Sequence, residues 1–300
     1  MPALSVVMPV YNGGRYLDLA IESILAQSAG DFEFIIMEDG STDNSRSIVE
    51  GYASRDPRIR LVADGTNRGI TARLNQGIAL ASASLIARMD ADDISLPHRF
   101  AAQLKALREN PALVLIGSRV TVIDPDGDEL TEMGALSHEE IDSALMNRTG
   151  QPVYHPSVIF RKDAALRVGG YDESYLAAQD HDFFLKLLEQ GRVENLAEPL
   201  LKYREHFSKL GVTRIAEQER AITGAILAAH RRRGTTPASS ETTGVKRRPV
   251  SRAETHRKWG WWALQSGRLK SARKHALRAM RRDPLNRESA RLVWCALRGR

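Results

Sequence analysis

The sequence predicts an α/β fold with a mostly parallel central sheet, and three observations support it. Short apolar runs rich in β-branched residues recur along the first 120 residues. Segments with apolar residues at helical spacing separate them. Each run ends in a cluster of Gly, Asn, Asp or Ser. Strands alternating with helices in this way form parallel sheets covered by helices on both faces.

The elements follow in order. LSVVMPV (4–10) is a buried strand closed by the turn Tyr11-Asn12-Gly13-Gly14. In RYLDLAIESILAQS, Leu17, Ala20, Ile21, Ile24 and Leu25 form one helical face. FEFIIMEDGSTDNS (32–45) is a second strand ending at Glu38-Asp39-Gly40, with Ser, Thr, Asp and Asn residues able to cap the helix SRSIVEGYAS. RIRLVAD (58–64) is a third strand, NRGITARLNQGIALASA a helix, SLIARMD a fourth strand, and LPHRFAAQLKALREN a helix with Pro97 near its start. Beyond these the alternation loosens. LVLIGSRVTVI (113–123) and PSVIFRK (156–162) read as strands of a mixed edge. AAQDHDFFLKLLEQG (177–191) reads as a helix starting with acid, residues 198–208 as extended, and residues 213–233 as a long helix. Residues 234–250, rich in Gly, Ser, Thr and Pro, read as a linker. Three helices follow, two of them joined at Ser266-Gly267. The expected organisation is a catalytic domain over 1–233, a linker over 234–250 and a basic helical segment over 251–300.

Charge divides along the same line. Residues 231–300 carry 20 Lys and Arg against 4 Asp and Glu, while residues 1–230 carry 23 against 33. An acidic body with a basic tail implies two modules with different partners. No apolar run reaches the roughly 18 residues of a membrane span. The N-terminal residues show neither a basic region nor a cleavage site, so no secretory leader is expected. The lone Cys295 excludes an internal disulfide and fits a reducing cytoplasm.

In such sheets ligands bind beyond the carboxyl ends of the strands. Tyr11-Asn12, Asp39 and the triplet Asp90, Asp92, Asp93 all fall there. Clustered carboxylates suit a hard divalent cation, which takes one or two of them and fills its shell with water and substrate phosphates. Asp92 is the first candidate ligand, and Asp90, two residues back on the strand, points to the same face. The alternative, that Asp92 and Asp93 cap the helix beginning near Ser95 or Pro97, is equally compatible with the residues. Asp39 could accept from a base N–H, and Arg68 or Arg73 could pair a phosphate in a bidentate fork, one of the two being expected to be merely solvated. Asp180 reads either as a first-turn acid favoured by the helix dipole or as a functional base. His155 and the tryptophans Trp259, Trp261 and Trp262 read as packing residues.

Five motifs taken together resemble family 2 glycosyltransferases of the GT-A fold. They are SVVMPVYNGGRYLDLAIESILAQS, FIIMEDGSTDNS, NRGITARLNQGI, ARMDADD, and the segment from HPSVIFRK through AAQDHDFFLKL, followed by YREHFS; they span residues 3–210. The resemblance implies an inverting transfer from a nucleotide-activated sugar. It implies that Pro9, Tyr11 and Asp39 hold the base, that Asp90 touches the ribose, and that Asp92 and His206 lie at the metal and diphosphate. Asp180 matches the general base. The family's usual Glu-Asp is here Gln179-Asp180, which leaves Asp180 alone at the motif position with Asp182 as the nearest substitute. Mg2+ or Mn2+ is the implied cofactor, and a glycan or lipid-linked molecule the implied acceptor. Two rival readings are a nucleotidyltransferase, for which YNGGRYLD is a poor phosphate loop, and a non-catalytic adaptor, against which Asp90, Asp92 and Asp180 argue.

In the tail, Gly260, Gly267, Ala272, Ala276, Ala279 and Pro284 fall at the offsets of one tetratricopeptide unit, with His256 in place of its first tryptophan. A lone unit cannot bury its face and must pack on the body, on the last helix or on a partner. Its cationic surface suits anionic lipid headgroups, placing the protein in the cytoplasm or at the inner face of the membrane. Nucleic acid is not expected, because no aromatic and basic interleaving accompanies the charge.

Overall fold

The computed structural model describes residues 1–207, 215–238 and 250–299. The strands are β1 (Leu4–Val10), β2 (Phe32–Glu38), β3 (Ile59–Ala63), β4 (Leu85–Arg88), β5 (Ile94–Ser95), β6 (Leu113–Ile123), β7 (Glu129–Met133), β8 (Ile159–Arg161) and β9 (Arg192–Arg204). The helices are α1 (Leu17–Leu25), α2 (Ser45–Ala53), α3 (Ile70–Leu80), α4 (Arg99–Glu109), α5 (His138–Asn147), α6 (Lys162–Arg167), α7 (Gln179–Leu188), α8 (Ile215–Arg233), α9 (Arg252–Gln265), α10 (Leu269–Arg282) and α11 (Arg287–Arg298).

The strands form one sheet in the order β3-β2-β1-β4-β8-β6-β9-β5, with β7 on β6. This is a mixed α/β sheet flanked by helices, as expected, with further helices at the C-terminus. The first four strands pair in parallel, as their apolar runs predict. The mixed part differs from expectation in its place. β8 runs antiparallel between β4 and β6, inside the sheet, and so restores the parallel direction for β6 and its partner β9. The short β5, the hairpin strand β7 and the helices α5 and α6 were not anticipated. They are short, or held by contacts distant in sequence, so their local pattern is weak.

Side chains alternate across β1 and divide the core. Val6, Met8 and Val10 face α1 and α4, while Val7 faces α3 with Ile35 and Ile86. Gly77 of α3 sits against Val7, where any β-carbon would collide, so α3 can lie close on the sheet. Trp259, Ala272, Ala276 and Leu292 of the C-terminal helices belong to the same buried cluster as Val6 and Met8. The small residues of the repeat-like pattern act as expected. Gly260 lies where a β-carbon would stand 2.6 Å from Leu292, and Ala272, Ala276 and Ala279 are buried. The segment read as a linker lies, for residues 239–249, outside the described residues. Among the described residues no helix is long and apolar enough to cross a membrane.

Candidate active site

β1, β2, β3, β4, β6 and β9 all run one way, so their carboxyl ends meet at one edge. The loops after them bring Tyr11, Asp39, Arg68, Asp90, Asp92 and His206 to that edge. Neighbouring strands lie about 4.8 Å apart, so Asp39 after β2 and Asp90 after β4, with β1 between, begin about 10 Å apart.

One side of the edge is closely braced. Asp39 is buried, and it accepts from Arg68 N (2.8 Å), Gly69 N (3.0 Å) and Arg73 Nε (2.7 Å). A carboxylate has about four lone-pair sites, so one remains on Oδ2. Gly40 follows at φ 72, and a β-carbon there would press on Asn67 N at 3.0 Å. The loop after β1 is tied to the loop after β2. Asn12 Oδ1 accepts from Thr42 N (2.8 Å), and Gly13 N and Gly14 N donate to Ser45 Oγ (2.9 Å) and Asp43 Oδ2 (3.0 Å). The Ser and Asp cluster thus braces a neighbouring loop, and Asp43 Oδ1 also accepts from Ser45 N at the start of α2 (2.9 Å), while Asn44 makes no capping bond. Tyr11 stands about half exposed above this frame.

Two expectations need correction here. Arg73 is not placed to fork a phosphate. It is fully buried, and Asp39, Asp64, Gln76 Oε1 and Thr66 O engage its guanidinium. Its charge holds Asp39 in place. Nor does Pro9 offer a surface to a base, for it is buried within β1 beneath the edge. Arg68 is the more exposed of the two arginines and pairs with Asp64 at 2.8 Å.

The other side of the edge carries concentrated charge. Carboxylate oxygens of Asp90, Asp92 and Asp93 lie within 4.8 Å of one another. They do not cap a helix, because β5 intervenes and α4 starts at Arg99. Each meets a different partner. Asp90 pairs with the buried Arg88. Asp93 is fully buried and accepts from Arg204 N at 2.7 Å. Asp92 Oδ2 lies 2.7 Å from His206 Nε2, with both side chains partly exposed. Asp92 and His206 are therefore the pair presented to a ligand. A carboxylate and an imidazole, with two further carboxylates close by, form a donor set that fits a divalent cation.

Asp180 and Asp182 both lie in the first turn of α7 and separate clearly. Asp182 is buried and pairs with Lys186 at 2.6 Å, so it is engaged and does not substitute as a base. Asp180 is less deeply placed, and its Oδ1 accepts from its neighbour His181 N at 3.0 Å. Its surroundings raise its pKa above the ordinary aspartate value. Burial is the main cause, Arg88 pulls against it, and Asp90 adds to the rise. Asp180 thus lies within electrostatic reach of the Arg88–Asp90 pair.

Sequence reasoning missed Arg88, Tyr16 and Arg204. Arg88 is a cation inside the apolar run IAR, which was the available signal. It is buried at the end of β4 beside Asp90, with its field on Asp180, Tyr171 and His155. Arg204, in the YREHFS element, donates from Nε to Asp92 O (2.9 Å) and lies 4.3 Å over the Tyr16 ring. His155 is packed as expected, with Nε2 2.7 Å from Tyr171 OH. Burial first, and then Arg88, hold it well below the ordinary imidazole value.

Acids and aromatics thus gather at the carboxyl edge of this mixed sheet, and comparison with known proteins shows the family to which such an arrangement belongs. The profile of glycosyl transferase family 2 matches residues 5–167. The O-antigen biosynthesis glycosyltransferase WbnJ of Escherichia coli is 31% identical over 207 residues, which is 68% of this chain and 80% of that protein. Two solved structures share the fold. The mannosyltransferase PcManGT from Pyrobaculum calidifontis, in complex with GDP-Man and Mn2+, aligns over 99% of this chain and 80% of its own, with a TM-score of 0.58 and 18% identity. S. aureus TarS 1-349 in complex with UDP-GlcNAc aligns over 99% and 92%, with a TM-score of 0.60 and 16% identity. The chain belongs to glycosyl transferase family 2.

Proposed function

We propose that the chain is an inverting glycosyltransferase. It moves a sugar from a nucleoside-diphosphate donor, read as a UDP-sugar, to a hydroxyl of a glycan or lipid-linked acceptor in cell-surface polysaccharide or lipopolysaccharide synthesis. One observation carries this reading. A braced, buried Asp39 and an Asp92–His206 pair lie along one edge, and Asp180, a carboxyl with raised pKa, stands within the field of Asp90. Support also comes from a relative named as an O-antigen biosynthesis glycosyltransferase and from structural neighbours solved with UDP-GlcNAc or with GDP-Man and Mn2+.

The roles divide along the edge. Tyr11 covers the base, and the open lone pair of Asp39 accepts its imide N–H. Asp90, fixed by Arg88, meets the ribose. Asp92 and His206 are the residues that would hold Mg2+ or Mn2+, and Arg68, now paired with Asp64, would turn to a phosphate. The bound cation would neutralise charge gathering on the leaving diphosphate. Asp180 accepts the proton of the acceptor hydroxyl as its oxygen attacks the anomeric carbon, and the bond to the diphosphate breaks with its electron pair leaving on phosphate oxygen. Burial makes Asp180 a stronger base than an exposed aspartate, and the Arg88 charge opposes that rise.

We read residues 1–233 as the transferase domain, 234–250 as linker and 251–300 as an appended helical segment. The outward face of α11 carries exposed Trp294 and Leu297, with Arg298 lying 3.8 Å over the Trp294 ring. An aromatic and cationic face of this kind suits anionic headgroups at the cytoplasmic side of a membrane.

A thermal-shift panel of UDP, GDP and dTDP and their sugars, with and without Mn2+, tests the reading. A shift that requires Mn2+ and favours one base is expected, and Asp92→Ala should abolish it. A shift of equal size in excess chelator, or none for any nucleotide, would overturn the assignment.

A further inference from the structure

The strand that delivers His206 ends at Arg204, and just beyond it Glu205 N bonds Ile123 O at 2.8 Å. Arg204 is tied to the body by its bonds to Asp93 and Asp92 O, and two further sets of side-chain contacts hold the segment Arg204–Phe207. Both lead to the C-terminal helices.

The first set runs through the turn after β6. Asp124 is fully buried, and its backbone oxygen accepts from Arg204 Nη1 at 3.3 Å. The next carbonyl, Pro125 O, accepts from Tyr16 OH at 3.2 Å. The carboxyl of Asp124 is met by two consecutive residues of α10. Lys274 Nζ pairs with it and also reaches Asp126 (2.9 Å) and Asp128 (2.6 Å). His275 Nε2, fully buried, lies 3.0 Å from Asp124 Oδ2. The acid turn and the basic helix neutralise each other, which accounts for part of the charge asymmetry of the sequence. The second set is aromatic. Phe207 meets Trp259 at 5.3 Å and His256 at 5.6 Å between ring centroids, and His256 Nδ1 lies 3.0 Å from His275 Nδ1. His206 thus sits between two residues whose positions depend on α9 and α10.

We propose that the C-terminal helices are a positioning element of the transferase site. By holding Asp124 and Phe207, they fix the segment Arg204–Phe207 and with it the Asp92–His206 pair. This rests on the reading of that pair as the diphosphate side of the site. Trp259, Lys274 and His275 are positioning residues, since none touches the ligand. Docking on the body and docking on a membrane use different faces of the segment, because Trp294 and Leu297 point away from these contacts.

Hydrogen exchange of the full chain reads the idea directly. Trp259→Ala, and separately the double variant Asp126→Asn/Asp128→Asn, should speed exchange at residues 204–207 at least tenfold and leave the amides of β1, β2 and β4 unchanged. In the same variants, calorimetric affinity for UDP with Mn2+ should fall at least tenfold. Affinity for uridine, which needs only the Asp39 side, should change less than twofold. Trp294→Ala, on the outer face of the same segment, should change neither. Unaltered exchange at 204–207 in both variants would overturn the proposal, and so would a UDP loss matched by an equal uridine loss. If Trp259→Ala does not fold, the acid-turn variant decides alone. An unsubstituted chain that binds no nucleoside diphosphate with Mn2+ would instead overturn the site reading, and exchange would still decide whether the helices position the segment.

Discussion

The Asp39 side and the Asp92 side of the site share one sheet edge but are built differently. Around Asp39, nearly every polar group is matched within a stretch of chain or its parallel neighbour. Arg73 balances the buried carboxylate, and the loops after β1 and β2 bond to each other. Around Asp92, like charges crowd together; Asp90 has Arg88 nearby, but the partners of Asp92 and Asp93 come from far along the chain: Arg204, His206 and, behind them, the helices beyond residue 250. The first side is shaped before a ligand arrives. The second holds charge that a cation and a diphosphate would complete. Recognition of a base needs fixed geometry, whereas stabilising a leaving group needs field strength at the reacting atoms.

Substitutions on the two sides should fail in different ways. The largest effect is expected from Asp180→Asn, which keeps the shape and removes the base. Turnover should fall by roughly 10²–10⁴-fold, and nucleotide affinity should stay within twofold. Equal loss of both would make Asp180 structural. In the unsubstituted enzyme, turnover should decline as pH falls through an apparent pKa above the ordinary aspartate value, since the working form is deprotonated.

Arg73→Met comes next and should act on the fold. It leaves Asp39 buried without its cation, a loss of about 3–5 kcal/mol for a broken buried pair, readable as a lower urea midpoint. Arg68→Met, at an exposed pair, should cost under about 1 kcal/mol and weaken UDP but not uridine binding. If the two variants lose the same stability, the contrast between a braced side and a charged side fails.

Acid should find the tail. Burial, with the charge of His275 second, lowers His256 to about 4, against an ordinary 6.5. The unfolded chain then binds a proton that the folded chain refuses, so this stability is complete above pH 6.5 and is lost as pH falls toward 4. Between pH 7 and 5 the loss is about 2 kcal/mol from this group. His181, lowered to about 4 mainly by burial and next by Arg148, adds in the same direction. His256→Gln should flatten the urea-midpoint profile over that window, and an unchanged slope would show that His256 is not titrating in this way. The smallest effect is expected at the outer face. Trp294→Ala with Leu297→Ala should reduce flotation with anionic vesicles several-fold without altering turnover on a soluble acceptor, and unchanged flotation would remove the membrane role.

The same division explains what the sequence revealed. The parallel strands and the positions of Asp39, Asp90 and Asp92 follow from apolar runs and the turn residues that close them, all local signals. The helix start at Asp180 is local too. What could not be read were the partners. Nothing near Arg73 shows that it will be buried against Asp39 and Asp64, 34 and 9 residues away. Nothing in the turn PDGDE announces that Lys274, some 146 residues later, will settle on it. Asp180 and Asp182 look alike in sequence, and only the placement of Lys186 and Arg88 separates them. The charge asymmetry was visible from composition, but that the basic helices would cover the body's own acids was one of several destinations left open.

The most direct measurement is a crystal structure of the full chain with a nucleoside diphosphate and Mn2+. The base should lie against Tyr11 with its N–H on Asp39, the cation should contact Asp92 and His206, and the terminal phosphate should face Asp180. A nucleotide bound away from this edge, or a cation held without Asp92, would contradict the assignment of one continuous site to these residues.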